Sequence, residues 1–148
     1  MTFLVPFDGS DLSVAALERA AEFAGYAGQD LVALTVIPDD PDYARERGWV
    51  RSDEPFAVER VAGRLEGQVA EVAPDADFRH EVTENTDPVA TIAMDVTRAI
   101  RQAAAEVGAT VLFVGSENAG RVSTPLTSVG NPISEDPQYD VFIVRHAD

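Results

Sequence analysis

Short apolar segments alternate along the chain with longer segments in which apolar residues recur every three or four positions. The short segments are rich in β-branched and aromatic residues, which is typical of strands. The longer segments place their apolar residues on one face of a helix. The pattern predicts five strands, at 2–7, 30–37, 77–83, 110–115 and 139–145. It also predicts three helices, whose apolar positions run over 17–24, 58–72 and 89–107.

The fourth predicted strand indicates how the sheet is built. Residues 111–114 are four consecutive apolar residues, so both faces of this strand must be covered. Parallel sheets with helices on both faces have this property. Because crossovers between parallel strands are right-handed, we expect a single-domain, doubly wound α/β sandwich over 1–148. Residues 38–55 contain three prolines, many charges and no sustained period, and are predicted to form a long surface loop.

The composition is that of a folded domain. Hydrophobic residues make up 45% of the 148 residues, and no apolar stretch approaches the roughly 18–20 residues of a membrane span. The sequence begins directly with a predicted strand and shows no leader pattern, which favours the cytoplasm. Cysteine is absent, which excludes disulfides and thiolate metal sites.

The charge of the chain is strongly acidic. Aspartate and glutamate number 26 against 11 basic residues, all of them arginine, which gives a formal net charge of -15. Such a surface repels nucleic acids and anionic membranes, so neither is an expected partner. Acidic surfaces without lysine are typical of cytoplasmic proteins of halophilic organisms, because hydrated carboxylates keep a protein dissolved at high salt. An ordinary acidic protein is the alternative.

In open α/β sheets, ligands bind beyond the carboxyl ends of the strands, where the strand order reverses. After the first strand come Pro6, Asp8, a glycine suited to a sharp turn, and Ser10, which is suited to cap the next helix. The Asp8 carboxylate either accepts hydrogen bonds from the backbone of this turn or contacts a ligand. Val36 comes near the end of the second strand. Residues 115–131, rich in glycine, serine, threonine and asparagine, follow the fourth strand as a phosphate-binding loop would.

Four segments resemble the universal stress protein family. LVPFDGSDLSVAAL (4–17) is similar to the family's first strand and helix, LTVIPD (34–39) to its second strand, EVGATVLFVGS (106–116) to its fourth and YDVFIVRH (139–146) to its last. The resemblance implies a five-stranded parallel sheet in the order 3-2-1-4-5, a dimer, and in one branch of the family an ATP site. It implies no established catalytic residue.

The last strand favours the same dimer on physical grounds. In the order 3-2-1-4-5 it is an edge of the sheet, and its apolar segment 141–144 contains none of the lysines, prolines or inward charges that protect an edge. We expect a homodimer paired through this strand. The alternative is a monomer in which the C-terminal residues or a loop cover the edge.

The nucleotide-binding branch of the family carries Gly-x2-Gly-x9-Gly-Ser/Thr after the fourth strand. Glycines at these positions let backbone N–H groups close around phosphates. Gly115 and Ser116 match the start of the motif, and Asn118 stands at its second glycine. The sequence therefore departs from the pattern at its second position.

The end of the motif can be aligned in two registers. One counts forward from Gly120 and places Gly130 and Asn131 at the closing positions. The other counts back from the last strand and places Thr127 and Ser128 there. The second register is preferred because it needs no gap before the last strand.

The resemblance implies a site for ATP or AMP, with magnesium accompanying ATP. Asp8 and Val36 are expected near the base, and Arg121 is the cation expected near the phosphates. The candidate cofactor-binding residues are Pro6, Asp8, Val36, Gly115, Ser116, Asn118, Arg121, Thr127 and Ser128.

Two functions fit these features. The first is a nucleotide-responsive stress or regulatory dimer, which the intact VPFDGS segment favours. The second is a nucleotide-free interaction module of the same fold, which the degenerate loop favours. An enzyme comes third, because nothing in the sequence supplies a general base beside an activated nucleophile.

Three further features have simpler interpretations. His80 and His146 are expected to lie far apart, which argues against a shared metal. The carboxylates within 39–42 are expected to be solvated rather than to bind a cation. Trp49 either covers the site as a lid, contacts a partner or packs its own loop onto the protein, and the last is the expected role.

Overall fold

The computed structural model describes residues 1–84, 91–123 and 138–147. Strands and helices alternate along these residues, except between the second and third strands, where two helices follow one another. In chain order the elements are β1 (Thr2–Pro6), α1 (Asp11–Ala27), β2 (Asp30–Pro38), α2 (Pro41–Glu46), α3 (Val58–Val72), β3 (Asp77–Thr83), α4 (Ile92–Val107), β4 (Ala109–Gly115), α5 (Ser116–Ser123) and β5 (Asp140–Val144).

The strands form one sheet in which all pairings are parallel and the order is β3-β2-β1-β4-β5. The central strand is β1, whose Phe3 lies opposite Leu31 of β2 and Val111 of β4. This arrangement confirms the predicted fold class and strand order.

Helices cover both faces of the sheet, as expected from the apolar run in β4. Alternate residues of β1 enter two separate cores, with Phe3 and Val5 in one and Leu4 in the other. Helices α1 and α3 complete the first core, whereas α4 and α5 complete the second. Both faces of the central strands are therefore buried.

Helix α1 begins immediately beyond β1. The Ser10 side chain caps it, because its Oγ accepts a hydrogen bond from the Ser13 N–H at 3.3 Å. Gly9 precedes the cap with a φ of 82°, a conformation that glycine adopts without strain. The turn between β1 and α1 is therefore short, and it holds Asp8 at the carboxyl edge of the sheet.

The segment 38–55 corrects the prediction of a long surface loop. Asp40 caps α2 by accepting hydrogen bonds from the N–H groups of Asp42 and Tyr43, and Pro41 occupies the first helical turn. Beyond the helix, Trp49 and Val50 are buried in the same core as α1 and α3. The segment is charged on its outer side but contributes apolar residues to the interior.

Candidate functional site

A cleft opens at the carboxyl edge of the sheet, where β1, β2 and β4 end. It holds about 850 Å³ of empty space, counting the part that is open to solvent. The buried part of its lining is mostly apolar, with Leu34, Val36, Ile100 and Val114, and includes the polar residues Ser13 and Thr97. The other polar residues of the lining, which are more exposed, include Asp8, Ser10, Arg47 and Glu117. An apolar interior with a polar rim suits a small molecule that has one apolar and one polar end.

The turn after β1 fixes Asp8 by several hydrogen bonds. Its Oδ1 accepts the Ser10 N–H at 2.9 Å, and its own N–H donates to Ser13 Oγ at 3.4 Å. The residue before it is also held, because the buried Thr35 hydroxyl donates to the Phe7 carbonyl oxygen at 2.8 Å. The backbone-bonding role foreseen for Asp8 is therefore present.

Trp49 connects the segment after β2 to this turn. Its indole Nε1–H donates to the Asp8 carbonyl oxygen at 2.8 Å, and the side chain is buried. The Tyr43 ring packs edge-on against the indole, with ring centroids 5.6 Å apart. Trp49 thus packs its own segment onto the protein, as expected.

Arg47 brings to the rim of the cleft a cation that the sequence analysis did not foresee. Its Nη1 donates to Asp8 Oδ2 at 2.8 Å, and its guanidinium lies 4.5 Å from the centroid of the Tyr43 ring. The Asp40–Pro41 pair is a sequence signal for helix α2, and Arg47 follows directly after this helix. Nothing in the sequence links it to Asp8, which lies 39 positions earlier.

Helix α3 holds the same segment from the other side. Arg64 Nη1 donates to the Trp49 carbonyl oxygen at 2.8 Å and to Glu54 Oε1 at 2.7 Å. The hydrogen bonds from Arg64 and from the Arg51 N–H lower the pKa of Glu54 to about 2. Glu54 therefore stays ionised while it holds the end of the segment against α3.

On the opposite side of the cleft, the structure corrects the prediction of a loop over 115–131 for residues 116–123, which form a helix; residues 124–131 lie outside the described residues. Helix α5 begins directly after β4, and its Ala119 and Val122 are buried in the second core. The Tyr139 hydroxyl donates to the Val122 carbonyl oxygen at 2.6 Å. Ala119 and Val122, three positions apart, give residues 116–123 the buried face of a helix. In a helix, only the first N–H groups lack a partner within the helix itself.

Gly115, at the junction of β4 and α5, is required by packing. A Cβ atom at this position would lie 2.9 Å from Leu12 Cβ, closer than such atoms approach in proteins. The close approach at this glycine is therefore made by helix α1. A larger residue here would disturb the protein itself, whether or not a phosphate binds nearby.

The comparisons with known proteins agree on one family. A family model for universal stress proteins matches residues 1–145. The chain belongs to the universal stress protein family. A comparison with functionally characterised proteins found no match in sequence.

Solved structures of universal stress proteins share the fold. One in complex with cAMP is 25% identical, with 100% of this chain and 98% of that chain covered and a TM-score of 0.55. The protein from Lactobacillus plantarum is 18% identical, with coverages of 98% and 97% and a TM-score of 0.55. One from Archaeoglobus fulgidus in complex with dAMP is 15% identical, with coverages of 97% and 95% and a TM-score of 0.55.

The residues predicted for the site of this universal stress protein fall into three groups. Those that line the cleft are Pro6, Asp8, Val36 and Gly115. Ser116 is the exposed first residue of α5 and is not among the described lining residues. The side chains of Asn118 and Arg121, and the whole of Thr127 and Ser128, lie outside the described residues.

Helix α4 also lines the cleft, which the sequence analysis missed. Ala93, Val96, Thr97 and Ile100 form this part of the lining. The helical spacing of Val96 and Ile100 predicted an apolar face for α4. It gave no sign that one end of this face meets the cleft.

The remaining candidates stay apart from the site. His80 is exposed on β3 and His146 is exposed after β5, at opposite edges of the sheet. Asp40 caps α2, and Asp42 pairs with Arg45 at 3.2 Å. Among residues 1–84, 91–123 and 138–147, no group of three or more histidines and carboxylates is placed to hold a metal ion. In the same ranges, no helix is both long and apolar enough to span a membrane.

Proposed function

We propose that this universal stress protein binds an adenine nucleotide, AMP or ATP, in the cleft and acts as a nucleotide-responsive stress or regulatory protein. The cleft itself supports this proposal most directly, because it combines an apolar interior with Asp8 at its rim and lies at the carboxyl ends of β1, β2 and β4. Universal stress proteins of the same fold in complex with cAMP and with dAMP support the class of ligand.

The described residues suit the parts of such a ligand. Val36 and Ile100 offer an apolar surface for the base, and the Asp8 carboxylate is an acceptor for an amino group. The N–H groups of Ser116 and Glu117, at the start of α5, are donors for phosphate oxygens. Magnesium, when it accompanies ATP, supplies positive charge that an acidic protein lacks.

A nucleotide-free interaction module remains the second candidate. The observation that favours it is the charge of the described lining, where Asp8 and Glu117 are acidic and the basic residue Arg47 is already paired with Asp8. An incoming phosphate would meet Glu117 near the start of α5. The two candidates therefore differ in one measurable property, the binding of nucleotide.

Native mass spectrometry of protein purified in high salt tests the choice directly. A co-purified mass of AMP or ATP supports nucleotide binding. Calorimetric titration with AMP, and with ATP and magnesium, then tests the residues. We expect Asp8→Ala to weaken binding and Asp11→Ala, an exposed matched control at the start of α1, to leave it unchanged. Absence of nucleotide in both measurements would favour the interaction module.

We further propose that residues 1–148 act as one domain that pairs with a second copy through β5. This strand is an edge of the sheet, and Phe142 and Ile143 on it are 37% and 39% exposed. Phe142 stacks on Phe113 with centroids 5.0 Å apart and contacts Phe23 at 5.4 Å, which extends the apolar surface onto α1. Antiparallel pairing about a two-fold axis would satisfy the backbone groups of the edge.

Light scattering in molar salt tests the dimer. We expect wild type to have twice the 15.9 kDa mass of one chain and Phe142→Glu to have the single-chain mass. Val82→Glu is the matched control, because Val82 is an exposed apolar residue on β3 at the other edge. A wild-type mass near 15.9 kDa would contradict the dimer.

The composition supports a cytoplasmic, halophilic protein. Self-repulsion among 26 carboxylates is expected to lower stability in dilute buffer, and screening is expected to restore it as salt rises. The melting temperature should therefore climb with potassium chloride concentration. A flat profile from dilute to molar salt would indicate an ordinary acidic protein.

A further inference from the structure

The Asp8 carboxylate already has two partners within the protein. Ser10 N–H donates to Oδ1 at 2.9 Å, and Arg47 Nη1 donates to Oδ2 at 2.8 Å. The first bond belongs to the turn and is local. The second comes from a different segment and ends at the other oxygen, so that both oxygens of the carboxylate already accept a hydrogen bond. A ligand that bonds to Asp8 therefore meets Arg47 as a competitor.

The backbone that carries Arg47 is firmly held. Ala44 on one side of it and Trp49 on the other are both buried. Trp49 is also bonded at both ends, since its indole donates to Asp8 O and its carbonyl accepts from Arg64. Displacing this segment would expose a buried aromatic side chain and break two hydrogen bonds.

The Arg47 side chain, in contrast, is weakly held. It is 39% exposed, and Asp8 is 24% exposed. Ion pairs in such positions change an equilibrium constant by roughly two- to five-fold at most. The guanidinium also rests on the Tyr43 ring, a contact that does not depend on Asp8. Arg47 is therefore able to leave Asp8 and remain at the rim of the cleft.

We infer that Arg47 determines the ligand specificity of the cleft by competing for Asp8 and by providing a cation once it is displaced. In the described lining, the other charged residues besides Arg47 are the acidic Asp8 and Glu117. A nucleoside that donates a hydrogen bond to Asp8 Oδ2 displaces Arg47 but has no phosphate to bind its guanidinium. A nucleotide that does the same frees a guanidinium for its phosphate. This inference rests on the proposed function and adds a preference for phosphorylated ligands.

Calorimetry with adenosine and AMP tests the competition, using wild type, Arg47→Gln and Arg45→Gln. Arg45 lies on α2, two positions before Arg47, and pairs with Asp42 instead, so Arg45→Gln removes the same charge without touching Asp8. We expect Arg47→Gln to bind adenosine roughly two- to five-fold more tightly than wild type. Its preference for AMP over adenosine should fall by a similar factor or more. Arg45→Gln should leave both affinities near those of wild type.

Two results would overturn this inference and leave the proposed function standing. One is an unchanged ratio of AMP to adenosine affinity in Arg47→Gln. The other is an equal effect of Arg45→Gln, which would assign the change to net charge. If adenosine, AMP and ATP with magnesium all fail to bind to any of the three proteins, the proposed function fails and the inference fails with it.

A measurement without ligand shows whether the Arg47 side chain is free to move or holds its segment in place. Trp49 is the only tryptophan in the sequence, so its fluorescence reports on this segment alone. We expect acrylamide to quench wild type and Arg47→Gln equally, because burial and Arg64 hold the backbone. Stronger quenching in Arg47→Gln would mean that Arg47 holds the segment itself, and would overturn the inference.

Discussion

The two sides of the cleft are stabilised by different forces. On one side, here called the polar wall, Asp8, Arg47, Trp49 and Arg64 are joined by hydrogen bonds, two of which link residues 39 and 41 positions apart. On the other side, the packed wall, Gly115 and helix α5 are positioned largely by contacts of small and apolar side chains. The polar wall should therefore respond to the loss of donors and charges, and the packed wall to changes in volume.

The two walls also differ in which groups of their residues stabilise them. Trp49 combines both forces, since its ring is buried while its indole N–H bonds to Asp8. Gly115 offers no group of its own and acts only by leaving room for Leu12. Substitutions at these positions separate the two contributions.

The largest effect is expected from Trp49→Ala, which removes the apolar anchor of the polar wall. Truncation of a buried tryptophan typically lowers the free energy of unfolding by roughly 3–5 kcal/mol. Trp49→Phe keeps much of the packing but removes the Nε1–H hydrogen bond. The free energy of unfolding should fall by about 1 kcal/mol for this bond and by a smaller amount for the reduced packing. Urea unfolding followed by circular dichroism measures both. Tyr26→Ala, at a position 96% exposed on α1, is the control and should change stability by no more than about 0.5 kcal/mol.

Gly115→Ala tests the packed wall. The added Cβ would lie 2.9 Å from Leu12 Cβ, an atom close to the backbone that cannot move away easily. We expect a loss of roughly 1–3 kcal/mol in urea unfolding. Gly63→Ala, in α3 with no atom near the added Cβ, should instead gain roughly 0.5–1 kcal/mol. Equal stability of the two variants would show that packing against Leu12 does not require glycine at position 115.

Thr35→Val tests a buried hydrogen bond of the polar wall. Valine has nearly the same shape but cannot donate to the Phe7 carbonyl oxygen, which precedes Asp8. Loss of this bond should lower the free energy of unfolding by about 1 kcal/mol. Thr110→Val is the control, because its hydroxyl lies at a longer 3.4 Å from the Thr2 carbonyl oxygen. A loss at Thr110 as large as that at Thr35 would argue against a special role for the Phe7 bond.

The smallest effect is expected from Glu54→Gln, and it should depend on pH. The pKa of Glu54 in the folded protein is about 2, below its ordinary value of 4.5, so the carboxylate stabilises the folded state when it is ionised. This stabilisation is fully present above about pH 4.5 and is lost as the pH falls toward 2. The difference in urea midpoint between wild type and Glu54→Gln should therefore shrink from pH 6 to pH 3.

Glu66→Gln, at an exposed position on α3, the helix of Arg64, is the matched control for this titration. Its difference from wild type should stay small over the same range. A Glu54→Gln difference that does not change with pH would mean that the ion pair with Arg64 does not stabilise the polar wall.

Much of the fold could be predicted from the sequence because its signals are local. The β-branched and aromatic runs at the five strands, and the apolar spacing in α1, α3 and α4, each arise within a short segment. The Ser10 cap likewise depends on Ser13, three residues away. The strand order, which is not local, came from the resemblance to a family.

The two walls of the cleft were harder to predict for different reasons. Helix α2 has six residues, too few to show a helical repeat of apolar residues. The charged residues around Trp49 indicated an exposed segment, although Trp49 is buried. The partner of Arg47 depends on how β1 and β2 are placed in space. In α5, glycine, serine and asparagine indicated a loop, although Ala119 and Val122 have the spacing of a buried helix face. The polar composition indicated a loop more strongly than two apolar residues indicated a helix.

The contact between Gly115 and Leu12 also constrains how this sequence can change over time. The two positions are distant in the chain but share one small volume, so Gly115 cannot gain a Cβ while position 12 carries one. A substitution of Gly115 by alanine should be tolerated only after Leu12 has been replaced by glycine, and the reverse order should pass through a poorly folded intermediate. Related sequences that carry alanine at the end of β4 should therefore have glycine at the second position of α1, and the double variant Leu12→Gly with Gly115→Ala should lose less stability than the sum of the two single losses.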